Sequence, residues 1–185
     1  NAKVVDSVDQ AIEGCGLVVG TSARGRRIPW PLMNPRECGK KMWAEASMHD
    51  VALLFGREDR GLTNSELHKC NYHVNIPSNP DYSSLNLATA VQVLAYEIRM
   101  ASLVDADDVL SRTEEWDQPL ATSDELELFH DHLARTMAGL NFYDPDNPKQ
   151  LITRMRRLFN RSRMDKMEVS MLRGLLSAAD RKGKG

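Results

Sequence analysis

Cysteine is scarce in this sequence. Cys15, Cys38 and Cys70 are odd in number and share no close spacing, which argues against both a disulfide framework and a zinc site. Three unpaired thiols suit a reducing compartment, so a cytoplasmic setting is expected. His130 and His132 stand two apart and cannot share a helix face, and His49, His68 and His73 have no partner spacing, so no metal is expected. No apolar run approaches the ~18 residues of a membrane span, and no signal-peptide pattern is present, so no membrane partner is expected. Neither G-x-G-x-x-G nor a P-loop sequence occurs, which counts against an ordinary Rossmann or nucleotide-phosphate site.

Net charge is also small, at −2, but it is unevenly spread. Residues 1–103 hold 11 Lys/Arg against 11 Asp/Glu, residues 104–147 hold 2 against 12, and residues 148–185 hold 11 against 3. A basic end of that density suits a polyanionic partner, or else folds back on its acidic neighbour. The 185 residues, 42% hydrophobic, suffice for one substantial core and a second small one.

Strands and helices alternate through the first hundred residues. Lys3 to Val5 reads as a strand end and Ser7 to Gly14 as a short helix with Ser7 as N-cap and Gly14 as its close. Leu17 to Gly20, Val51 to Phe55 and Tyr72 to Ile76 are short apolar runs of the buried parallel type, and Glu37 to Met48 reads as a helix between the first two. Thr63 with Glu66 has the spacing of a capping box. From Ser84 to Leu103 the residues Leu87, Ala88, Val91, Leu94, Ala95, Ile98 and Ala101 recur at helical intervals. The implied architecture is α/β, a parallel sheet with helices on both faces. Residues 104–122 are acidic, aperiodic and contain Pro119, as a linker would. Residues 123–185 hold helices at Asp124 to Met137, Lys149 to Phe159 and Lys166 to Ala179, a small all-α extension with a basic end.

Two loops carry the most specific signal. One apolar run ends in Gly56-Arg57-Glu58-Asp59-Arg60-Gly61-Leu62, and a later one ends in Ile76-Pro77, followed by Ser84-Leu85-Asn86-Leu87-Ala88. Loops at the carboxyl ends of parallel strands converge on a crevice faced by helix N-termini. This ordered pair resembles the second and third motifs of the SPOUT methyltransferases, in particular the TrmH-like ribose 2'-O-methyltransferases. Thr21-Ser22-Ala23-Arg24, Pro29-Trp30-Pro31, Asn79-Pro80, Tyr82-Ser83-Ser84, Arg156-Arg157-Leu158-Phe159 and Leu172-Arg173-Gly174 narrow the likeness to bacterial members that methylate nucleotide 32 of the tRNA anticodon loop.

The resemblance implies a trefoil knot at the end of the domain spanning residues 1–103, a homodimer, S-adenosylmethionine as donor and tRNA as substrate. It implies donor contacts from Thr21, Ser22, Ala23, Gly56, Ile76, Ser83, Ser84 and Leu85, and catalytic or site-ordering roles for Arg57, Glu58, Ser84 and Asn86. Residues 1–20 hold no counterpart of the family's first motif, which bears a catalytic Arg, so the chain is expected to be a piece of a longer polypeptide lacking the N-terminal strand.

The residues themselves bear on each role. Gly56, without a Cβ, either admits a ligand close to the main chain or merely turns it. Arg57 and Glu58 suit phosphate contact and loop ordering, or form a surface ion pair. Ser84 is an ordinary N-cap as well as a site residue, and Asn86 is a polar amide that needs a partner at the head of an apolar helix. Residues 24–41 hold six Lys/Arg, among them Arg24, Arg26 and Arg27, against Glu37 alone. Trp30 within them either stacks on unpaired bases or plugs the core. Arg154, Arg156, Arg157, Arg161 and Arg163 form a second basic surface for tRNA, or simply a solvated one.

The leading expectation is S-adenosylmethionine-dependent methylation of the ribose 2'-hydroxyl of tRNA cytidine or uridine 32. Two alternatives compete with it: a non-catalytic RNA- or cofactor-binding fragment, and a ribosomal RNA 2'-O-methyltransferase.

Overall fold

The computed structural model describes residues 2–22, 29–79, 85–108, 118–146 and 149–182. The elements are α1 (Val8–Ile12), β1 (Leu17–Thr21), β2 (Leu32–Met33), α2 (Pro35–Glu45), β3 (Val51–Leu54), α3 (Asn64–Leu67), β4 (Tyr72–Val74), α4 (Leu87–Asp108), α5 (Ser123–Gly139), α6 (Leu151–Ser162) and α7 (Lys166–Lys182). They form two compact units, Cys15–Glu115 and a second made of Asn1–Gly14 with Trp116–Gly185.

In the first unit the four strands are all parallel, in the order β2-β4-β1-β3. Side chains alternate across a strand. Leu17 and Val19 therefore share a face, and they pack with Met33, Cys38, Met42, Val74 and Leu94 beneath α2 and α4. Gly20 faces the other way, where an added Cβ would stand 2.7 Å from Cys70 Sγ and 3.0 Å from Leu67. Both faces are thus covered, and each fully buried Leu or Val contributes roughly 1.5–3 kcal/mol. Asn71 is buried at the head of β4 because its Oδ1 accepts from the Val18 N–H at 2.8 Å and extends the ladder.

The helix α2 begins at Pro35 behind a full capping box, Asn34 with Glu37, two residues earlier than the periodicity predicts. Pro at the first turn costs no hydrogen bond, since that N–H has no intrahelical acceptor. Gly39 lets α2 lie directly on α4: a Cβ there would be 2.6 Å from the Glu97 carbonyl carbon. The helix α4 starts at Leu87 and runs to Asp108, so the segment expected as linker begins as helix. By length and composition Leu87–Val104 of α4 is apolar enough to cross a membrane, although Glu97 and Arg99 interrupt its apolar run.

The second unit gathers α5, α6 and α7 around Phe129, with Ala121, Leu126, Met164 and Val169 buried beside it and Leu133, Phe159, Leu172 and Leu176 packed on them. Thr122 caps α5; its N–H donates to Glu125 at 2.9 Å. Residues 119–121 run against the turn before α7, the Ala121 N–H donating to Met164 (2.9 Å) and the Lys166 N–H to Pro119 (3.0 Å). The first fourteen residues, expected to open the sheet domain, group here instead. Ser123 Oγ donates to the Ile12 carbonyl, and the Gly14 N–H donates to Asp124 Oδ1 at 3.1 Å. Lys3 to Val5, expected as a strand end, lies in no strand, and Val4 is exposed.

Candidate active site

Because the strands are parallel, their carboxyl ends share one edge. The register sets Thr21 beside Val74, Gly20 beside Leu54, and Met33 beside Val74, so the segments after residues 21, 33, 54 and 74 all leave the sheet there. Side chains then tie these exits together. Thr21 Oγ1 donates to the Leu54 carbonyl at 3.0 Å, and the Ser22 N–H donates to Val74 at 2.9 Å. Asn75 Nδ2 donates to the Ser22 carbonyl at 2.8 Å while the Asn75 N–H donates to Met33 at 3.0 Å. Asn75 joins three strand ends and was missed by the sequence reading. Its only signal was an amide at the end of a β-type run, where Asn is depleted.

The loop after β3 closes on itself. The Gly61 N–H donates to the Arg57 carbonyl at 2.7 Å, and Gly61 holds the left-handed backbone (φ 69°) that closure requires. Gly56 is demanded by this closure: a Cβ on it would lie 2.0 Å from the Gly61 carbonyl carbon and 2.1 Å from the Leu62 nitrogen. Arg57 and Asp59, both exposed, pair at 3.2 Å.

Glu58 crosses to the other motif. Its Oε1 accepts from Asn86 Nδ2 at 3.2 Å. Asn86 is also the cap of α4, with Oδ1 accepting from the N–H groups of Ala88 (2.9 Å) and Thr89 (3.4 Å). The amide that needed a partner therefore has several, and it caps the helix at the position expected of Ser84. Ile76 is half-buried against the sheet core and Leu85 is exposed.

The structure thus brings Thr21, Ser22, Gly56, Arg57, Glu58, Ile76, Leu85 and Asn86 to one unit, most of them at one edge. Ala23, Arg24, Arg26, Arg27, Ser83 and Ser84 lie outside the described residues. Trp30 is buried, not offered to solvent. Its ring stacks between His68 and His73, each 5.4 Å away, and its Nε1 donates to the Cys70 carbonyl at 2.8 Å. Arg156, expected to face RNA, is bound bidentately to Glu127 (2.5 and 2.8 Å) in a partly buried pair, and Arg157 is half-buried on the same helix. Arg163 is buried at the end of α6.

Nucleophilic thiol chemistry has no support here. All three cysteines are buried, and burial pushes the Cys38 thiol up to about 11 and the Cys70 thiol up to about 12. Among the described residues no group of three or more His, Cys, Asp or Glu is arranged to hold a metal.

Residues 1–96 match the SpoU rRNA Methylase family, and residues 124–185 match the family described as tRNA methyltransferase TrmJ, C-terminal domain. The protein named tRNA (cytidine/uridine-2'-O-)-methyltransferase TrmJ from Klebsiella pneumoniae subsp. pneumoniae is 51% identical over 185 residues, covering 100% of this chain and 76% of its own length. The Escherichia coli K12 protein of the same name is 50% identical over the same residues, 75% of its length. The crystal structure of TrmJ from Z. mobilis ZM4 superposes with a TM-score of 0.77 at 28% identity, over 95% of this chain and 72% of that one. A probable methylase family protein from Haemophilus influenzae Rd KW20 gives 0.56 at 45% identity, over 98% and 73%. The family model spans half of the chain and the relatives match it from end to end: the chain belongs to the SpoU methylase family and carries a TrmJ-type C-terminal domain.

Proposed function

We propose that the Cys15–Glu115 unit transfers a methyl group from S-adenosylmethionine to the ribose 2'-hydroxyl of cytidine or uridine in tRNA, at position 32 of the anticodon loop. The observation that carries this reading is the Glu58–Asn86 hydrogen bond. It locks the Gly56 loop to the head of α4 at the strand edge, in a chain whose relatives are named for this reaction.

The edge fits the donor. Ile76 and Leu85 offer apolar surface suited to an adenine ring, while Thr21, Ser22 and the peptide groups at Gly56 supply polar contacts around it. When bound, S-adenosylmethionine supplies an electrophilic methyl on its sulfonium. A ribose hydroxyl ionises far above neutral pH, so positive charge near the developing alkoxide lowers the barrier. Arg57, exposed on the closed loop, provides that charge or holds the adjacent phosphate. Glu58 acts through Asn86 to fix where Arg57 sits, and placement of this kind contributes much of the rate.

Two further properties belong to the same reading. The strand order places β4 between β1 and β2, an arrangement compatible with the trefoil knot that the family resemblance implies. Tyr96, Met100 and Leu103 form an exposed apolar stripe along α4, which a second copy covers in a homodimer.

The test is methyl transfer from labelled donor to unmodified tRNA and to the same tRNA with a 2'-deoxy sugar at position 32. Label on the first alone is expected, and equal labelling contradicts the assignment. The words rRNA Methylase in the matched family's description favour ribosomal RNA as a second reading, which the same assay on ribosomal RNA separates.

A further inference from the structure

Of the two roles the sequence leaves open for Trp30, stacking on RNA bases or plugging the core, its burial fits the second. A different tryptophan takes the exposed position. On α2 the residues Cys38, Gly39, Met42 and Glu45 are buried, and the outward face carries Arg36, Lys40 and Trp43 at i, i+4 and i+7. At 1.5 Å per residue this stripe is about 10 Å long. It starts one turn from the strand edge, because Asn34, the cap of α2, directly follows Met33, whose carbonyl accepts from Asn75.

Helix stability does not explain this face. Arg36 sits in the first turn, where the helix dipole disfavours a cation. Its ion pair with Glu97 is long at 3.8 Å, and its side chain is 78% exposed, so that contact returns little. Trp43 leaves 40% of its surface exposed on a helix whose other large apolar side chain, Met42, is buried. The neighbouring cation behaves otherwise: Lys41 is bound to Glu45 at 2.9 Å and lies over the Tyr72 ring at 4.9 Å. Folding has absorbed Lys41 and left Arg36 and Lys40 facing out.

We infer that the Arg36–Lys40–Trp43 face of α2 is a track for the RNA strand flanking the target ribose, with Arg36 and Lys40 on phosphates and Trp43 stacked on an unpaired base. Cations with an interleaved aromatic are the chemistry of single-stranded RNA binding, and the track is continuous with the edge where the ribose is read to sit. This inference rests on the methyltransferase reading above and adds to it a second RNA contact surface.

The test uses the full chain and unmodified tRNA, with affinity measured between about 50 and 200 mM salt. Arg36→Gln and Lys40→Gln are each expected to reduce the slope of log affinity against log salt by about 0.7 to 0.9. Trp43→Ala is expected to weaken binding at least about fivefold at every salt concentration without changing the slope, and Trp43→Phe to restore most of it. Unchanged slopes and affinities in all three variants overturn the inference. So does a Trp43→Ala protein whose self-association changes while its RNA affinity does not, since the face then meets protein. Methyl transfer by the wild-type protein is read in parallel: its absence sinks the methyltransferase reading, whereas its presence with unaltered variants sinks only the track.

Discussion

Replacing Gly56 by Ala should open the loop that the proposed site depends on. The added Cβ would stand 2.0 Å from the Gly61 carbonyl carbon and 2.1 Å from the Leu62 nitrogen. Non-bonded atoms settle at about 3.5 Å, so one side of the loop must retreat by roughly 1.5 Å. The obstruction is backbone, which no rotamer change relieves. The retreat breaks the 2.7 Å bond from the Gly61 N–H to Arg57 and the bridge between those residues. One lost backbone hydrogen bond at about 1 kcal/mol, with about 1 to 3 kcal/mol for the strain of a displaced turn, gives a destabilisation of about 2 to 4 kcal/mol. Gly61 is the internal control, because its substitution meets open space but must hold φ 69°. Gly61→Ala should cost about 1 to 2 kcal/mol, and Gly61→Asn less, since Asn tolerates the left-handed region. Urea unfolding followed by circular dichroism gives the order, and calorimetric titration with S-adenosylmethionine should show at least a tenfold weaker donor for Gly56→Ala, the scale expected when a site element moves by more than about 1 Å. A Gly56→Ala protein that unfolds at the wild-type urea concentration and binds donor equally well refutes the reasoning.

Asn86→Ala removes both the cap of α4 and the link to Glu58, and should cost about 1 kcal/mol of stability and lower kcat/KM for tRNA about tenfold or more; Glu58→Gln, which keeps an acceptor, should lie between that variant and wild type. The helical unit should lose stability in acid. Burial pushes His130 down to about 4, against the pull of its hydrogen bond to Asn160, and the unfolded side chain titrates near pH 6.5. The unfolded state therefore takes up a proton that the folded state refuses, so this stability is fully present above about pH 6.5 and about 3 kcal/mol of it is lost as pH falls through that value to about 4. Thermal scans of wild type and His130→Gln across that range check it, and an equal acid dependence in both proteins contradicts it. Arg156→Ala leaves Glu127 without its bidentate partner and should cost about 1 to 3 kcal/mol while the salt slope of tRNA binding stays that of wild type; a shallower slope with intact stability would return Arg156 to the RNA surface.

What the sequence disclosed and what it hid have physical causes. The strands β1, β3 and β4 are legible because strands covered on both faces read as short unbroken apolar runs. A two-residue strand such as Leu32–Met33 has no period to detect, and only pairing with His73 and Val74 creates it. The grouping of residues 1–14 with α5 depends on contacts more than a hundred residues distant, beyond the reach of local pattern. Glu58 and Asn86 were legible as motif residues, but their bond was not, and Asn75 belongs to no motif. Trp30 and Trp43 are told apart by tertiary context. Trp30 finds histidines to stack on and a carbonyl for its N–H, whereas Trp43 falls on the outward face set by the burial of Cys38, Gly39 and Met42.

The central claim is that the carboxyl edge of this sheet holds the methyl donor. A crystal of the full chain grown with S-adenosylhomocysteine, the demethylated product, tests it directly. The account predicts density for the nucleoside and amino-acid portions among Thr21, Gly56, Ile76 and Leu85. Well-defined product bound at another surface, with that edge empty, contradicts it.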